Sequence, residues 1–512
     1  MNKNKFRRLI TSRLFIGSIL VLFQLIIIFV AVVWFRSFFV LYSAFALVLS
    51  LCFVISVINT TQNMAYKTAW CIVILLMPCF GVLLYLLFTG NKISKHQKSK
   101  LEKMDNTIRS NTGEKNDVLA FLEETDKDAA RQAKYIVGSS ECPPYTDCET
   151  TYFSSGEEMF PALIEELKKA ERYIFLEYFI IGDGEMWDEI HRILLDKVTH
   201  GVDVRVIYDD VGSMFSVDQH FYDIMNREGI KCHVFNKVKP VLSGRSNNRD
   251  HRKICSVDGK VAFTGGVNLS DEYINVVERF GYWKDTAVMI KGEAAWSLTV
   301  LFLNMWDHLE RVPGKERGDY SGYKPAEFSV AHGSGVVQPY TDAPHTYENV
   351  GEHVYLNMIA AAKEYIWIMT PYLITDEQME TALSLAAKSG VDVRIITPGI
   401  PDKKLVKMTT ESHYQKLINN GVKIYEFDPG FIHAKNFLCD GKFATVGTIN
   451  LDFRSLYLHF ECGAWMYGTD CISDIKRDFD DTFTKCRRIE EWKTGSVQRM
   501  FYGILEIIAP LL

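Results

Sequence analysis

The sequence reads HRKICSVD at His251–Asp258 and HAKNFLCD at His433–Asp440. Both stretches contain a histidine, a lysine two positions later and an aspartate seven positions after the histidine. An asparagine follows each histidine by 17 positions, at Asn268 and Asn450. Alternate residues of a strand point to the same face, so each imidazole projects together with its lysine ammonium. Two copies of such a specific pattern predict a reactive site assembled from two equivalent parts.

The sequence around the two motifs is duplicated as well. GVDVRVI at Gly201–Ile207 returns as GVDVRII at Gly390–Ile396, and AERYIFL at Ala170–Leu176 resembles AKEYIWI at Ala362–Ile368. The copies lie 189 to 192 residues apart, which is the scale of a domain duplication and not of a short solenoid repeat. In each copy a helical pattern alternates with short β-branched runs. This alternation predicts two α/β halves.

The first half shows the expected elements most clearly. We predict helices at Leu163–Ala170 and Trp187–Thr199 and strands at Tyr173–Phe179 and Val204–Tyr208. Gly201 follows the second helix, where a glycine commonly ends a helix.

Two histidines, two lysines and two asparagines suit the chemistry of a phosphodiester. One imidazole attacks phosphorus and forms a phosphohistidine, while the other protonates the departing alkoxide and then activates the incoming hydroxyl. The groups expected to bind the non-bridging oxygens are Lys253, Lys435, Asn268 and Asn450. No metal or cofactor is expected, because the sequence has neither a carboxylate cluster at metal-ligand spacing nor a Cys-x-x-Cys pair. The spacing leaves open which histidine attacks.

Four carboxylates accompany these groups. A histidine in such a role needs an acidic partner on its other ring nitrogen, and the candidates are Asp285 and Glu461, which follow their motif histidines by 34 and 28 residues. Asp258 and Asp440 complete the motifs and are counted with the histidines and lysines as the catalytic set. Both precede a Gly-Lys pair at a predicted hairpin turn, so we expect them to hold the hairpins and not to contact substrate.

The amino-terminal region differs sharply in charge from the rest of the chain. The first 101 residues contain 11 Lys or Arg and no Asp or Glu, although the 512-residue chain has a net charge of −6. The remainder therefore has a balance of −17. Three uncharged runs of 22 residues lie in the first region, at 14–35, 37–58 and 68–89. Each is long enough to cross a bilayer as a helix, and the first is too long for a cleaved signal peptide.

The charges beside the runs give conflicting signals about topology. Basic residues precede the first run and follow the third, and both flanks favour the cytoplasm, although an odd number of spans separates them. One run re-enters or lies in the interface, or one basic flank is overruled. The expected organisation is a membrane module at 1–92, a charged linker at 93–133 and two halves at 134–325 and 326–512. We expect a multi-pass membrane protein with its acidic part in the cytoplasm.

The duplicated His-x-Lys-x4-Asp motifs resemble the phospholipase D superfamily, and further motifs resemble the bacterial cardiolipin synthases. These motifs are Trp70–Phe88, Glu177–Phe179, Gly281–Asp285, Thr370–Tyr372, Asn450–Ser455 and Ala509–Leu512. The resemblance covers roughly residues 38–512 and leaves only the first apolar run unmatched.

The resemblance implies a fold and an activity. The fold would be two tandem phospholipase D-like α/β/α sandwich halves related by pseudo-twofold symmetry, preceded by a transmembrane helical module. The activity would be phosphatidyl transfer between two phosphatidylglycerol molecules in the bacterial cell membrane, giving cardiolipin and glycerol. By analogy His251 is the nucleophile, oriented by Asp285, and His433 is the acid and base, oriented by Glu461. These lipids are the expected partners, and the oligomeric state is open.

Three other functions fit part of the pattern. A phospholipase D hydrolase would use the same residues and release phosphatidic acid, and the choice depends on water exclusion. A phosphodiesterase acting on nucleic acid needs a basic groove, against which the balance of −17 argues. A non-catalytic scaffold is disfavoured because both motifs hold every reactive residue. The aromatic Trp283 is expected in the core in preference to lipid, and Met500–Leu512 docks on the domain or lies in the membrane interface.

Overall fold

The computed structural model describes residues 22–30, 36–60, 62–89, 106–238, 247–310, 318–328, 333–344 and 348–511. The chain divides into two compact units. The first unit consists of Met1–Lys92, Val238–Asn247 and Glu506–Leu512, and the second consists of Ile93–Lys237 and Asn248–Leu505. Both histidine motifs therefore lie in the second unit.

The first unit contains the helices α1 (Arg36–Ile58), α2 (Met64–Leu76) and α3 (Phe80–Thr89). Residues 22–30 are also helical. The rest of the first apolar run lies outside the described residues. In the described part of the chain, α1 alone is long and apolar enough to cross a membrane, over Phe39–Ile58.

The prediction that the third run, 68–89, forms one span is wrong, because the helix breaks between α2 and α3. Pro78 disfavours helical backbone at the residue before it, and Cys79 has a φ of +63°. A side chain at Gly81 would lie 2.5 Å from the carbonyl oxygen of Val73, so the chain folds back closely on itself here. The 13 residues of α2 would rise only about 20 Å, too little to cross a hydrocarbon core.

The segment predicted as a solvated linker with some helix, 93–133, contains more helix than its composition indicated. Residues 106–112 are helical, and α4 (Asn116–Thr125) and α5 (Lys127–Ser140) follow. Leu122 and Ala133 are fully buried in the main core of the second unit. The apolar stripes of these helices are narrow, and the many charged residues around them gave the sequence the composition of a linker. Residues 93–105 lie outside the described residues.

The first half of the second unit is built on a seven-stranded sheet. Its strands and the nearby short strand β7 are β1 (Glu149–Phe153), β2 (Tyr173–Tyr178), β3 (Asp203–Asp209), β4 (Lys231–Phe235), β5 (Lys253–Val257), β6 (Val261–Gly265), β7 (Tyr282–Lys284) and β8 (Ala287–Lys291). The helices are α6 (Gly156–Lys169), α7 (Glu185–Thr199), α8 (Asp210–Ser213), α9 (Phe221–Arg227) and α10 (Glu293–Leu309). The sheet order is β1-β8-β6-β5-β2-β3-β4. The helices and strands predicted for this half are confirmed.

The second half repeats this plan with an eight-stranded sheet. Its strands and the short strand β13 are β9 (Val336–Asp342), β10 (Tyr365–Met369), β11 (Asp392–Pro398), β12 (Lys423–Phe427), β13 (Gly430–Ile432), β14 (Asn436–Cys439), β15 (Phe443–Gly447), β16 (Glu461–Tyr467) and β17 (Cys486–Ile489). The helices are α11 (Val350–Ala361), α12 (Glu377–Lys388), α13 (Lys404–Asn419), α14 (Phe453–Tyr457), α15 (Ile472–Thr484) and α16 (Ser496–Ile508).

The two strand orders are the same, which confirms the predicted α/β fold of two tandem halves. Read from its other edge, the second sheet runs β9-β16-β15-β14-β10-β11-β12, with β17 added at the end. Three neighbouring strands in each sheet are parallel, namely β2, β3 and β4 in the first half and β10, β11 and β12 in the second. The other strand pairs of both sheets are antiparallel.

Two contacts join the halves near the motifs. The short strands β7 and β13 pair in parallel and form a small sheet with one strand from each half. The hairpin strand β6 packs against β15 and β16 of the other sheet. The strands that carry the two histidine motifs are therefore held side by side.

Candidate active site

Each motif histidine lies just before a strand and is fixed through its backbone by the opposite half. His251 precedes β5, and its N–H donates to the carbonyl of Phe460 at 2.9 Å. His433 follows β13, and its N–H donates to the carbonyl of Lys284 at 2.6 Å. In both cases the accepting residue directly precedes one of the two expected carboxylates.

The carboxylates are exchanged between the halves. His251 Nδ1 lies 3.0 Å from both carboxylate oxygens of Glu461, and His433 Nδ1 lies 2.6 Å from Asp285 Oδ2. All four side chains are buried. The structure thus identifies the two expected carboxylates, but the assignment of Asp285 to His251 and Glu461 to His433 is wrong.

The sheet order explains the exchange. Within the first half, β6 lies between β5, which follows His251, and β8, which follows Asp285. Two strand spacings amount to about 9–10 Å, too far for a hydrogen bond within one sheet. The carboxylate from the other half is nearer, because the small β7–β13 sheet and the packing of β6 bring the two strand ends together.

This arrangement sets the protonation of both imidazoles. A Nδ1–H donated to a carboxylate leaves the Nε2 lone pair free. Burial lowers the pKa of His251 to about 3, and burial with the charge of Lys435 lowers the pKa of His433 to about 4, although the carboxylates oppose both shifts. Burial disfavours the charged form of Asp285, but Lys435 and His433 outweigh it and lower the pKa of this carboxyl. At neutral pH the site therefore holds two neutral imidazoles and two carboxylates.

The motif lysines lie against the same groups. Lys253 Nζ donates to the carbonyl of its own motif histidine, His251, at 2.7 Å, and it lies 5.5 Å from the ring centre of Phe179. Lys435 Nζ lies 2.8 Å from His433 Nδ1 and also donates to the His433 carbonyl. Burial lowers the pKa of Lys253 to about 8 and that of Lys435 to about 7. An anion that binds beside these lysines would favour their charged forms.

The comparison with known proteins agrees with this geometry. Residues 163–306 and 355–483 match the family described as "Cardiolipin synthase, PLD-like domain", and residues 48–88 match "Phospholipase_D-nuclease N-terminal". A cardiolipin synthase of Geobacillus kaustophilus is 35% identical over 471 residues, which are 90% of this chain and 92% of that protein. The chain belongs to the cardiolipin synthase family. Another relative, cardiolipin synthase 2 of Bacillus anthracis, is 34% identical over 86% of each chain.

Two further matches extend the comparison. An uncharacterized protein of Streptococcus mutans is 43% identical over 90% of this chain and 99% of its own length. The crystal structure of phosphatidylserine synthase from Haemophilus influenzae has a TM-score of 0.54 at 14% identity, covering 75% of this chain and 99% of that one. This likeness shows a shared fold. Membership of the cardiolipin synthase family, together with α1, indicates a membrane protein.

The two expected asparagines have different surroundings in this family member. The side-chain oxygen of Asn268 accepts from the Ile180 N–H at 3.0 Å, and its amide donates to the Tyr273 hydroxyl at 2.7 Å. Tyr273 packs on His433 with ring centres 5.6 Å apart, which links Asn268 to that histidine. Asn450 is buried, and its side-chain oxygen has no hydrogen-bond partner among the described residues. Their contact with a phosphate remains a prediction.

Asp258 and Asp440 bind backbone groups at the two hairpins, as expected from the sequence. Asp258 accepts three backbone N–H groups, from Glu171, Arg172 and Tyr173, each at 2.8 Å. Asp440 does the same for residues 363–365, at 2.8 to 2.9 Å. With φ values of +53° and +52° they occupy the first left-handed position of the hairpins, as their Gly-Lys context predicts. Both carboxylates hold the start of a neighbouring strand.

Sequence reasoning missed two residues that support the carboxylates. The Thr448 hydroxyl donates to Glu461 Oε2. Gly266 occupies the equivalent place in the first half, and a Cβ there would lie 1.9 Å from Asp285 Oδ1. The signal was present in the sequence, because the strands β6 and β15 end in Gly-Gly and Gly-Thr at positions that are otherwise equivalent.

Aromatic and imidazole rings surround the two histidines. Trp283 packs on His433 with ring centres 5.4 Å apart and is buried, as predicted. Phe179 and His459 pack on His251 with ring centres at 4.9 and 5.7 Å. Each imidazole therefore packs against one apolar ring, Phe179 beside His251 and Trp283 beside His433. The second neighbouring ring differs, because it is the His459 imidazole beside His251 and the Tyr273 phenol beside His433.

Proposed function

We propose that this protein transfers a phosphatidyl group between two phosphatidylglycerol molecules and produces cardiolipin and glycerol. The observation that carries the proposal is the pair of crossed histidine–carboxylate contacts, in a chain of the cardiolipin synthase family. Two histidines that each keep a free Nε2 provide the nucleophile and the acid–base group that a double displacement at phosphorus requires.

In the first step His251 is the nucleophile. Its Nε2 lone pair attacks the phosphorus of the first phosphatidylglycerol, an N–P bond forms, and the bond from phosphorus to the headgroup glycerol oxygen breaks. His433 first takes up a proton at Nε2 when the phosphodiester anion binds, and it then gives this proton to the departing oxygen, so glycerol leaves as a neutral alcohol. The bound phosphodiester anion favours protonation of His433.

The second step reverses the first with a different alcohol. The headgroup hydroxyl of a second phosphatidylglycerol attacks the phosphohistidine, and His433 takes its proton. The N–P bond breaks, His251 is released as a neutral imidazole, and cardiolipin forms. One P–O bond has been broken and one formed, with no change of oxidation state. Glu461 and Asp285 keep each imidazole in the tautomer that exposes Nε2.

The lysines and asparagines bind the phosphoryl oxygens in this proposal. The trigonal-bipyramidal transition state has more negative charge on these oxygens than the bound diester. Lys253 and Lys435 are held against their histidines before substrate arrives, so little reorganisation is needed. Asn268 and Asn450 complete the set through their side-chain amides.

Exposed apolar side chains on segments that lead into the site support a lipid substrate. Phe215 exposes 68% of its surface, and Val276 is about half exposed (47%). Ser216, next to Phe215, donates a 2.7 Å hydrogen bond to the chain just after β2. Asn275, next to Val276, binds both backbone groups of Trp283. The first half thus presents two exposed apolar side chains beside its strand ends, as expected of a surface that meets lipid.

We place the protein in the bacterial cell membrane, anchored through α1, with its catalytic part on the cytoplasmic side. The basic residues that follow the apolar region favour that side and an anionic leaflet. The substrate is itself an anionic lipid of that leaflet. Residues 134–325 and 326–512 remain the proposed limits of the two halves.

The test uses the full-length protein in vesicles of labelled phosphatidylglycerol. Cardiolipin and free glycerol in equal amounts support transfer. Phosphatidic acid without cardiolipin contradicts it and identifies a hydrolase instead. A variant with both His251→Ala and His433→Ala is the control for background turnover.

A further inference from the structure

A third histidine adjoins the His251–Glu461 pair and has no role in the proposed reaction. His459 Nδ1 lies 3.7 Å from Glu461 Oε1, and its ring centre is 5.7 Å from that of His251. Only 9% of its surface is exposed. Neither ring nitrogen has a hydrogen-bond partner among the described residues. A buried imidazole without partners is unfavourable, unless a ligand completes its surroundings.

We propose that His251, His459 and Glu461 form an inhibitory binding site for a divalent cation of the zinc class. The site is built from the pair that serves the proposed reaction, so the inhibition rests on the proposed function. The binding itself does not.

The donor atoms are already near the spacing that such a cation requires. Bonds of roughly 2.0–2.2 Å in a tetrahedral zinc site put neighbouring donors about 3.3–3.6 Å apart. Glu461 oxygens lie 3.0 Å from His251 Nδ1, and Glu461 Oε1 lies 3.7 Å from His459 Nδ1. All three residues can offer a donor within 4.8 Å of the others. Small side-chain rotations close the remaining difference.

The chemistry of the donors selects the class of cation. Two imidazoles and one carboxylate suit zinc and its neighbours in the first transition row, whereas magnesium and calcium prefer sets of oxygen ligands. The Thr448 hydroxyl donates a hydrogen bond to Glu461 Oε2, so Oε1 remains available to a cation beside the two imidazoles.

Bound metal would stop the first step of the reaction. A cation on His251 Nδ1 takes the lone pair of that nitrogen, so the ring proton moves to Nε2. Nε2 then has no lone pair with which to attack phosphorus. No proton leaves the protein and no oxidation occurs, so removal of the metal restores the original tautomer.

Among the residues that the structure describes, His433 has no equivalent site. Pairing of β6 with β8 and of β15 with β16 makes Trp283 the counterpart of His459. Trp283 packs on His433 as His459 packs on His251, but an indole offers no metal ligand. The metal would therefore block His251 and leave His433 unchanged.

The experiment measures metal binding and inhibition on the full-length protein after treatment with a chelator. Zn²⁺ is titrated into the transfer assay, with Mg²⁺ and Ca²⁺ as comparison ions. Each rate is divided by the metal-free rate of the same variant. Independently, Co²⁺ is added and the visible absorption of a four-coordinate complex is recorded, which needs no turnover.

The informative variant is His459→Asn, and His413→Asn is its matched control. His413 is also a buried histidine, with Nδ1 2.5 Å from a carboxylate oxygen of Glu380, but it is not part of the cluster. We expect His459→Asn to raise the half-inhibiting Zn²⁺ concentration at least tenfold and to remove the Co²⁺ absorption. His413→Asn should keep both at the wild-type level.

Other outcomes are equally clear. Wild-type Zn²⁺ sensitivity in His459→Asn, or no Co²⁺ absorption in the wild type, overturns the site. Should His459→Asn fail to fold, Glu461→Gln replaces it in the Co²⁺ measurement, where loss of the absorption is expected and its retention contradicts the site. A protein that binds Co²⁺ through His459 but makes no cardiolipin would keep the site and refute the proposed function.

Discussion

The two halves of the catalytic unit share a strand order but surround their histidines with different groups. His251 contacts Glu461, whose second oxygen is held by Thr448. His433 contacts Asp285, which is shorter by one methylene and lies against Gly266. The longer carboxylate thus has a hydroxyl beside it, and the shorter one has a glycine.

The difference shows how a symmetric fold can hold an asymmetric site. Each carboxylate crosses to the opposite half, so neither half has a complete histidine–carboxylate pair of its own. The pair at His251 is flanked by Phe179 and a further imidazole, and the pair at His433 by an indole and a phenol. Duplication supplied the framework, and side chains at equivalent positions differentiated the two histidines for successive tasks.

The largest effect should come from the histidines themselves, and it separates their tasks. His251→Ala and His433→Ala should each lower kcat by about 10³- to 10⁴-fold or more, because one removes the nucleophile and the other the proton carrier. In His433→Ala, a substrate with a good leaving group should accumulate a phosphatidyl group on His251, seen by mass spectrometry of the quenched protein. Accumulation on His433 in His251→Ala would reverse the assignment.

The carboxylates should give the next largest effect and test the crossed pairing. Glu461→Gln and Asp285→Asn should each lower kcat by about 10²- to 10⁴-fold, since an amide partner favours the wrong tautomer. Because Asp285 supports the acid, an activated leaving group should restore much of the first step in Asp285→Asn. The same substrate should not rescue Glu461→Gln. Rescue of Glu461→Gln but not of Asp285→Asn would contradict the crossed pairing and would indicate that each carboxylate serves the histidine of its own half.

The groups behind the carboxylates should matter less. Thr448→Val removes one hydrogen bond to an ionised group, a loss of about 1.5–3 kcal/mol, so we expect a roughly 10- to 100-fold lower kcat. Gly266→Ala should match or exceed this loss, because its Cβ would displace Asp285. Steady-state rates at saturating lipid measure both. Ala262→Gly, in the strand β6 that directly precedes Gly266, is the control for a change of the strand itself. Wild-type activity in Gly266→Ala would contradict the proposed crowding.

The sequence was sufficient for the parts of the site that depend on local order. The Asp-Gly turns need only turn preference, and they predicted the two hairpins and the placement of Asp258 and Asp440. The expected alternation of histidine and lysine within one strand is not seen, because β5 begins at Lys253 and β14 begins at Asn436. The crossed carboxylates could not be predicted in this way. Which carboxylate meets His251 depends on how the two sheets pack, and that contact joins residues 210 positions apart.

The amino-terminal errors have local physical causes. Composition indicated a span at 68–89, but Pro78 and the close approach at Gly81 divide it into two short helices. Charge indicated a linker before residue 133, but α4 and α5 bury narrow apolar stripes that few residues define. In both cases the average property of a segment concealed the few positions that determine its structure.

Loss of charge on the lysines should lower kcat/KM by about tenfold per pH unit at alkaline pH. A lowered pKa means that Lys435 and then Lys253 lose their charge as the pH rises through about 7 and about 8. Phosphate binding then weakens, so kcat/KM should fall above about pH 7 and more steeply above about pH 8. Lys435→Arg should shift the alkaline fall upward, since a guanidinium stays charged. An unchanged profile would exclude Lys435 as its source.

The motif aspartates should have the smallest effect on the chemistry, and this is the sharpest contrast with the carboxylates of the site. Asp440→Asn keeps the left-handed turn, because asparagine tolerates that backbone, but it weakens three hydrogen bonds to an ionised group. We expect a loss of about 2 kcal/mol in stability, seen as a lower unfolding temperature. The kcat of the folded protein should stay within about twofold of wild type. Asp258→Asn should behave alike, because both hairpins are built in the same way. A hundredfold lower kcat at unchanged stability would instead put these aspartates in the reaction, and the two kinds of carboxylate would no longer differ in role.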